Sequence, residues 1–160
     1  RRQRQMCIRD RDLAPSEGKA PSFLIWAMRD KNAAPLQRVQ IIKGWVEQTT
    51  GRPFEEVIDV ACSDGLTPDP LTNRCPDNGA LVDISDCSIS SDRGTNEIKT
   101  VWTDESFDSA VKSFYYVRVL ENPSCRWSTW DAVKNGTKPR EDLKLTIQER
   151  AWSSPIWYSY

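Results

Sequence analysis

The sequence predicts a mainly β protein: an antiparallel, β-sandwich-like region with a long disulfide-stapled loop and one or two short helices. Short runs rich in aromatic and β-branched residues recur between turn residues, as in sandwich domains. Residues 62–94 are dominated by Asp, Pro, Asn, Ser and Gly, which disfavour regular structure. Seven Trp residues supply large apolar surfaces to a chain whose mean hydropathy is only -0.62. We therefore expect a loop-rich fold anchored by Trp side chains.

Three predicted strands lie in the first part of the chain. The run Ser22–Met28 is short, aromatic and bounded by charged residues, which is typical of a buried strand. The run Leu36–Val46 alternates roughly in polarity and predicts a second strand. Its residues on one side are Val39, Ile41 and Trp45. Residues 57–61 predict a third strand, and together the three indicate an antiparallel meander.

The second part of the chain carries two further strand signals and one ambiguous segment. Residues 97–102 fit a strand or a helix equally well. Residues 114–120 have the highest density of aromatic and β-branched residues and predict a central strand. Residues 147–158 predict a last strand, interrupted at residues 153–155, and Pro155 there indicates an edge or a bulge.

One segment carries the signals of a short helix. Residues 129–134 follow Ser128, which is a suitable N-cap residue, and precede Gly136, which is a suitable C-terminal stop. We therefore predict a helix between Ser128 and Gly136.

Four of the five cysteines lie in turn-rich sequence. They are Cys62, Cys75, Cys87 and Cys125. No pair has the C-x-x-C spacing of a zinc site and the chain has no His, so disulfides are favoured over free thiols and metal ligands. Of the three connectivities, Cys62 with Cys75 and Cys87 with Cys125 closes the shortest first loop and is preferred. Disulfides indicate an oxidising compartment, so we expect a periplasmic or extracellular protein.

Acidic residues in and before the long loop raise the alternative of a calcium site. They are Asp59, Asp64, Asp69, Asp77, Asp83, Asp86 and Asp92. The sequence contains no D-x-[DN]-x-[DN]-G run, and Asp is an ordinary turn residue. Solvated turns are therefore favoured over calcium, and we assign no metal ligand in this chain.

The first eleven residues are interpreted as foreign to the protein. They form a basic run without an apolar period, and codons for the residues from Gln5 onward can spell the end of a transposon-based sequencing adapter. We therefore exclude residues 1–11 and expect a single β-rich domain over residues 12–160. The alternative is a natural basic arm that contacts nucleic acid or membrane.

The charge balance argues against a nucleic-acid partner. The sequence has 22 Lys and Arg against 23 Asp and Glu; the first eleven residues hold five Arg and one Asp, which leaves 17 against 22. An acidic chain without a basic stripe binds phosphate backbones poorly. No apolar run approaches the roughly 20 residues of a membrane-spanning helix, so we expect no membrane span.

Several long strings carry a resemblance to a known family. They occupy residues 34–45, 114–128 and 148–158, with the shorter stretches 59–65 and 74–79. These strings resemble the C-terminal part of the bacterial domain-of-unknown-function family DUF3604, and the resemblance runs from about Pro21 to the end of the chain.

The resemblance implies that the chain is one part of a larger protein. Full-length members of the family are several times longer and resemble PHP-type metallohydrolases, in which His and Asp clusters hold divalent metals at the mouth of a distorted α/β barrel. Their metal-binding His-x-His signature is incompatible with a sequence that lacks His. The metal, and any metal-activated attack of water on a phosphate ester or similar bond, would then belong to a missing N-terminal barrel.

Two functions are expected from this reading. The first is a non-catalytic C-terminal β-rich portion of an exported PHP-like metallohydrolase of unknown substrate, with the N-terminal barrel of the same protein as its partner and no cofactor in this chain. The alternative is a secreted carbohydrate- or ligand-binding β-sandwich module. Three exposed coplanar aromatic rings would favour binding, whereas buried rings and an uncovered apolar face would favour docking.

Four residues near strand ends are the candidate binding residues: Arg126, Trp127, Glu149 and Arg150. An Arg can bind an anionic group with two hydrogen bonds, and a Trp can form the floor of a pocket. The structural alternative, which we favour, is an Arg–Glu ion pair with a Trp packed beneath it. Core or inter-sheet anchoring is likewise favoured over sugar binding for five aromatic residues: Tyr115, Tyr116, Trp130, Trp152 and Trp157. We assign no catalytic residue.

Overall fold

The computed structural model describes residues 11–13 and 19–158. The segment interpreted as adapter-derived lies outside the described residues, except for Arg11, which begins the first strand.

The described residues form ten strands and one helix. The strands are β1 (Arg11–Leu13), β2 (Ser22–Met28), β3 (Leu36–Val46), β4 (Pro53–Cys62), β5 (Glu97–Thr103), β6 (Ser113–Glu121), β7 (Ser124–Cys125), β8 (Thr146–Ile147), β9 (Arg150–Trp152) and β10 (Ile156–Tyr158). The helix is α1 (Trp127–Lys134). The prediction of a mainly β, antiparallel fold is confirmed.

The larger sheet contains six strands in the order β1-β10-β6-β3-β4, and β9 pairs with β6 beside β10. All of its pairings are antiparallel except that of β1 with β10. The predicted central position of the strand around residues 114–120 is confirmed, because β6 lies between β3 on one side and β9 and β10 on the other. The ladder of β3 and β4 contains an irregularity between Val39 and Gln40.

The smaller sheet pairs β2 with β5 over seven residues each. The ambiguous segment at residues 97–102 is therefore a strand. The predicted meander is wrong at its first step, because β2 does not pair with β3. Both edges of β3 are occupied by β4 and β6, so β2 has no free edge of β3 to join. The smaller sheet instead packs face to face on the larger one.

The core lies between these two sheets. Phe23 and Ile25 point inward from β2 and meet Val39 and Ile41 of β3, which are completely buried. Tyr115 joins them from β6, with its ring centroid 4.9 Å from that of Phe23. Each such side chain contributes about 1.5–3 kcal/mol when fully buried. These contacts hold the two sheets together as a sandwich.

Two disulfides fasten the long loop to the sandwich. Cys62 at the end of β4 is bonded to Cys75, and Cys87 is bonded to Cys125 in β7. The preferred connectivity is confirmed, and so is the predicted irregularity of residues 62–94, which form turns and isolated bridges.

Buried amides fix the same loop from within. The Asn78 side chain accepts a hydrogen bond from Gln37 (3.1 Å) and donates one to Asn122 (2.9 Å). The Gly94 N–H donates to both carboxylate oxygens of Asp64, at 2.9 and 3.0 Å. Because buried amides are costly when unpaired, these hydrogen bonds specify one path for the loop.

The helix begins one residue before the predicted N-cap. Its N-cap is Arg126, which makes no side-chain capping bond, so the assignment of Ser128 is wrong. The Arg126 N–H is bonded to the Leu145 carbonyl at 2.9 Å, so the extended pairing of β7 and β8 continues until the helix starts. The predicted end at Gly136 is confirmed, where φ is 62° and the Thr137 N–H donates to Ala132.

The predicted last strand is three separate strands. β8 pairs with β7, whereas β9 and β10 pair with β6 on either side of Pro155. Ser153 holds this interruption to β6, because its N–H donates to the Val117 carbonyl and its hydroxyl accepts from the Val117 N–H, both at 3.0 Å. The predicted break at residues 153–155 is confirmed. No helix among the described residues has the length and apolar content needed to cross a membrane.

Candidate functional site

Three of the four predicted binding residues line one cavity of about 570 Å³. Arg126, Glu149 and Arg150 contribute to its wall, together with Lys144 and Trp152. The remaining wall residues are Pro123, Thr146, Ile147 and Gln148. The fourth predicted residue, Trp127, is 74% exposed and does not line it. We call this cavity the basic cavity.

One wall of the basic cavity is fixed by the β7–β8 pair. Arg126 follows Cys125, whose disulfide to Cys87 ties this wall to the long loop. The Arg126 Nε–H donates to the Lys144 carbonyl at 3.2 Å, which holds the guanidinium beside that segment. The Thr129 hydroxyl donates to the Leu145 carbonyl at 2.8 Å and joins α1 to the same strand pair.

The opposite wall is formed by β9. Ala151 is paired with Val119, which packs against the core, so alternation directs Arg150 and Trp152 to the outer face of the larger sheet. Gln148 fixes the start of this segment, because its amide donates to the Gln37 side chain at 2.8 Å and to the Glu121 carbonyl at 3.1 Å. The wall is therefore held by the sheet.

The charge of the basic cavity is positive. Three cations, Arg126, Lys144 and Arg150, face a single carboxylate, Glu149. None of the ion pairs formed within residues 19–158 includes Arg126, Glu149 or Arg150, so the expected Arg–Glu ion pair is wrong. These cations can bind an anionic group by donating hydrogen bonds to it.

Lys144 and Trp152, which line this cavity, are not among the predicted binding residues. Lys144 lies in an irregular polar stretch whose sequence gives no signal of a site. Trp152 lies in the stretch 148–158 that resembles the family, but it was predicted to be a core residue. In the structure it is 58% exposed.

The favoured core assignment of the aromatic residues is confirmed for Tyr115, which is buried between the sheets. It is wrong for Trp152, Trp157 and Trp130, which are exposed. The side chain of Tyr116, partly buried, belongs to the outer face of the larger sheet, because it alternates with Tyr115.

The outer face of the larger sheet carries an aromatic row beside these residues. The Phe114 ring lies across Gly44, where an added Cβ would be 2.3 Å from the ring. The Phe114 ring stacks with that of Tyr116, with the ring centroids 6.3 Å apart, and its centroid lies 5.0 Å from that of Trp157. Gly44 is therefore required for the close approach of this ring to the sheet.

A second cavity, of about 680 Å³, lies between β2 and the β9–β10 edge. Its floor is apolar and includes Leu36, Val117 and Val119 from the inner face of the larger sheet. Trp152 and Arg150 line this cavity as well as the basic cavity, so β9 separates the two. The sandwich is thus open along this side.

The outer face of the smaller sheet carries four exposed apolar residues among polar and charged ones. Leu24, Trp26 and Met28 alternate outward from β2, and Val101 is paired with Leu24 on β5. These four side chains are between 64% and 81% exposed. We call them the apolar face. Contiguous exposed apolar residues of this kind mark interaction surfaces.

A buried ion pair lies at the inner face of the larger sheet. The Lys43 ammonium contacts the Asp104 carboxylate, which also accepts hydrogen bonds from the hydroxyls of Tyr115 and Ser106. Burial alone would raise the pKa of Asp104, but these interactions outweigh burial and hold the pKa below its ordinary value. Burial raises the pKa of Tyr115 well above its ordinary value, so its hydroxyl stays protonated and donates. The group is an internally neutralised structural cluster.

The described residues do not fit the divalent metal that the family resemblance implies. The sequence has no His, and Cys62, Cys75, Cys87 and Cys125 are consumed in disulfides. Among residues 11–13 and 19–158, no three His, Cys, Asp or Glu side chains are grouped so that they could hold a metal ion. We therefore derive no metal-dependent step from this chain.

Comparison with known proteins gives one family match. A family model described as a protein of unknown function (DUF3604) matches residues 9–160. No curated protein and no solved structure matches the chain. The match covers the sandwich, both disulfides and the basic cavity, and its description names no reaction.

Proposed function

Because this chain belongs to DUF3604, a family of proteins of unknown function, we propose that it is the non-catalytic C-terminal β-rich part of a larger exported hydrolase of the PHP-like type. Its role in this proposal is to dock on the catalytic barrel of the same protein and to stabilise or gate the active site there. The observation that carries the proposal is the apolar face, Leu24, Trp26, Met28 and Val101, which the sandwich itself leaves uncovered.

The apolar residues of this face include the types that are enriched at interface centres. Trp and Met are enriched at interface centres, and charged residues are depleted there. Two charged residues lie on the same face: Lys99, whose ammonium is 4.4 Å from the Trp26 ring centroid, and Glu97 opposite Met28. Burying each large apolar side chain on this face would contribute about 1.5–3 kcal/mol before the cost of association.

The two disulfides support export. Disulfides persist in oxidising compartments and are rare in the cytosol. Because Cys62–Cys75 and Cys87–Cys125 fasten the long loop, we expect the formation of these bonds to stabilise the domain. A periplasmic or extracellular location follows as part of the proposal.

The proposal is tested first on the gene. We expect the genomic reading frame to continue upstream of Asp12 and to encode a barrel with a His-rich metal motif. The upstream part, expressed separately, should then bind this chain in a calorimetric titration. A frame that starts at residue 12 would contradict the proposal.

The docking surface is tested by paired substitutions of exposed apolar residues. Leu24→Ser with Trp26→Ser should weaken binding of the upstream part by at least about tenfold, because it removes two apolar side chains from the centre of the face. The matched control is Leu71→Ser with Leu81→Ser, two exposed leucines in the long loop. Equal losses in both variants, or none in the first, would refute docking through this face.

Exposed Trp152 and Trp157 favour a second candidate function, binding of a small ligand. They project from the outer face of the larger sheet, and Trp152 also lines the second cavity, which it shares with Leu24, Trp26 and Met28. None of the four residues of the apolar face lines the basic cavity, so the two functions are compatible.

A further inference from the structure

We propose that the basic cavity binds a small organic anion in which a carboxylate or phosphate is joined to a ring, such as an acidic sugar or a sugar phosphate. Arg126, Lys144 and Arg150 bind the anionic group, and Trp152 stacks on the ring. The proposal rests on the second candidate function, for which it names the ligand class, and is independent of docking through the apolar face.

The charge of the cavity favours an anionic ligand. The cavity gathers three cations around one carboxylate, and the side chains of Lys144 and Arg150 have no hydrogen-bond or ion-pair partner among the described residues. Like charges held close together repel, so a bound anion lowers the free energy of this arrangement. A guanidinium also matches the planar oxygens of a carboxylate or phosphate with paired hydrogen bonds.

The ring specificity comes from Trp152. Its indole lines the same cavity and is exposed, so it presents an open apolar face beside the cations. On the outer face of the sheet, Trp152 is paired with Arg118. The Arg118 Nε–H donates a hydrogen bond to the side-chain oxygen of Gln40 at 2.6 Å, which holds the Arg118 side chain in place. A flat apolar surface beside a group of cations binds a ring and an attached anion together.

The cavity is preformed. β9 is held to β6 by its ladder, and the opposite wall is tied to the long loop through the Cys87–Cys125 disulfide. Fixed walls reduce the entropy lost on binding, so few contacts are needed for measurable affinity. The volume of about 570 Å³ lies in the range of small-molecule sites.

A long polyanion is the less suitable occupant. The whole chain carries a formal net charge of -1, and the basic cavity contributes only three cations, Arg126, Lys144 and Arg150. Binding of a nucleic-acid backbone draws on a row of cations. The small ligand is therefore the occupant to which we commit.

The test is calorimetric titration of the purified full chain with four probes. They are glucose 6-phosphate, glucuronate, glucose and inorganic phosphate. We expect the sugar phosphate, the uronate or both to bind, and to bind at least about tenfold more tightly than glucose or phosphate, because each of the latter lacks one half of the recognised group. The two acidic sugars distinguish phosphate from carboxylate recognition.

Matched variants assign the binding to this cavity. Arg150→Gln and Trp152→Ala should each weaken binding by at least about tenfold, whereas Arg52→Gln and Trp130→Ala, whose side chains do not line the cavity, should leave it unchanged. Urea unfolding of every variant checks that the fold is intact. No binding of either acidic sugar at millimolar concentration, or equal losses in the control variants, would overturn the proposal. Phosphate binding as tight as that of glucose 6-phosphate would overturn the role of Trp152. Docking is tested with substitutions at Leu24 and Trp26, and ligand binding with substitutions at Arg150 and Trp152. The docking proposal and the ligand proposal can therefore fail independently.

Discussion

The ammonium nitrogen of Lys43 lies 2.6 Å from a carboxylate oxygen of Asp104, and both side chains are shielded from solvent on the inner side of the larger sheet. The Tyr115 hydroxyl donates a hydrogen bond to the same oxygen at 2.7 Å. β3, β6 and the segment after β5 thus meet at one carboxylate. Removing that charge leaves the buried Lys43 ammonium without a counter-charge, with only the carbonyl and hydroxyl of Ser106 as acceptors among the described residues.

Asp104→Asn should lower the free energy of unfolding by about 3–5 kcal/mol, the usual cost of breaking a buried ion pair by removing one partner. Urea unfolding at neutral pH measures it. Asp142→Asn, which removes the exposed partner of Arg140, is the control and should cause no measurable change. Similar losses in both variants would show that the burial of the first pair is unimportant.

The same variant has a defined pH dependence. Since the pKa of Asp104 is lower in the folded state than its ordinary value of 3.8, its contribution is present above that value and is lost as the pH falls through the folded pKa. The difference in unfolding free energy between wild type and Asp104→Asn should therefore shrink below about pH 4. A difference that stays constant down to pH 2.5 would contradict this assignment.

The ionised carboxylate of Glu121 should lower the free energy of unfolding, whereas that of Asp104 raises it. Burial and the neighbouring Glu149 carboxylate raise its pKa in the folded state above the ordinary value of 4.5. The charged form is therefore penalised at neutral pH, and protonation removes the penalty as the pH falls. Glu121→Gln should raise the unfolding free energy at pH 7 and leave it nearly unchanged at pH 4. The exposed Glu141→Gln is the control, and an equal gain there would contradict the prediction.

The two disulfides should differ in their effect on stability. They close loops with sequence separations of 13 and 38 residues, for which loop entropy corresponds to about 3 and about 4 kcal/mol. The double variant Cys87→Ser with Cys125→Ser should therefore lose more stability than Cys62→Ser with Cys75→Ser. Thermal unfolding of the two variants ranks them, and the reverse order would show that local contacts outweigh loop closure.

Substitution of two glycines by Ala distinguishes the cost of backbone strain from the cost of a steric clash. Gly94 and Gly79 both have positive φ, at 84° and 72°, so Ala at either position costs about 1–2 kcal/mol through strain. An added Cβ at Gly94 would lie 2.6 Å from the Asn122 amide and from Pro35, whereas Gly79 has open space around it. Gly94→Ala should thus lose about 1–3 kcal/mol more than Gly79→Ala in urea unfolding. Equal losses would mean that Asn122 and Pro35 both move aside freely.

Local patterns in the sequence were sufficient for the longer strands β2, β3 and β6 and for the choice of disulfides over free thiols. The runs that became β2, β3 and β6 carry their own periodicity, and the pairing of Cys62 with Cys75 follows from a short loop. The partner of β2 was not predictable, since β5 lies far along the chain and a strand pattern does not say which strand it pairs with.

The candidate site was predicted in part for a similar reason. Arg126, Glu149 and Arg150 were named from the sequence, and the structure brings them to one cavity. Whether Trp152 is covered depends on what packs over the outer face of the sheet, and no local pattern contains that information. Lys144 reaches the cavity only because β8 pairs with β7.

The unpaired edge of β2 has a consequence for the protein in isolation. β2 is bonded to β5 on one side, and within the described residues no strand joins its other side. An apolar strand with free N–H and C=O groups is a template on which further copies can add, and its outward Leu24, Trp26 and Met28 would bury themselves in doing so. Fibril growth from stored samples would therefore start at this strand, and a lysine placed at Leu24 would slow it.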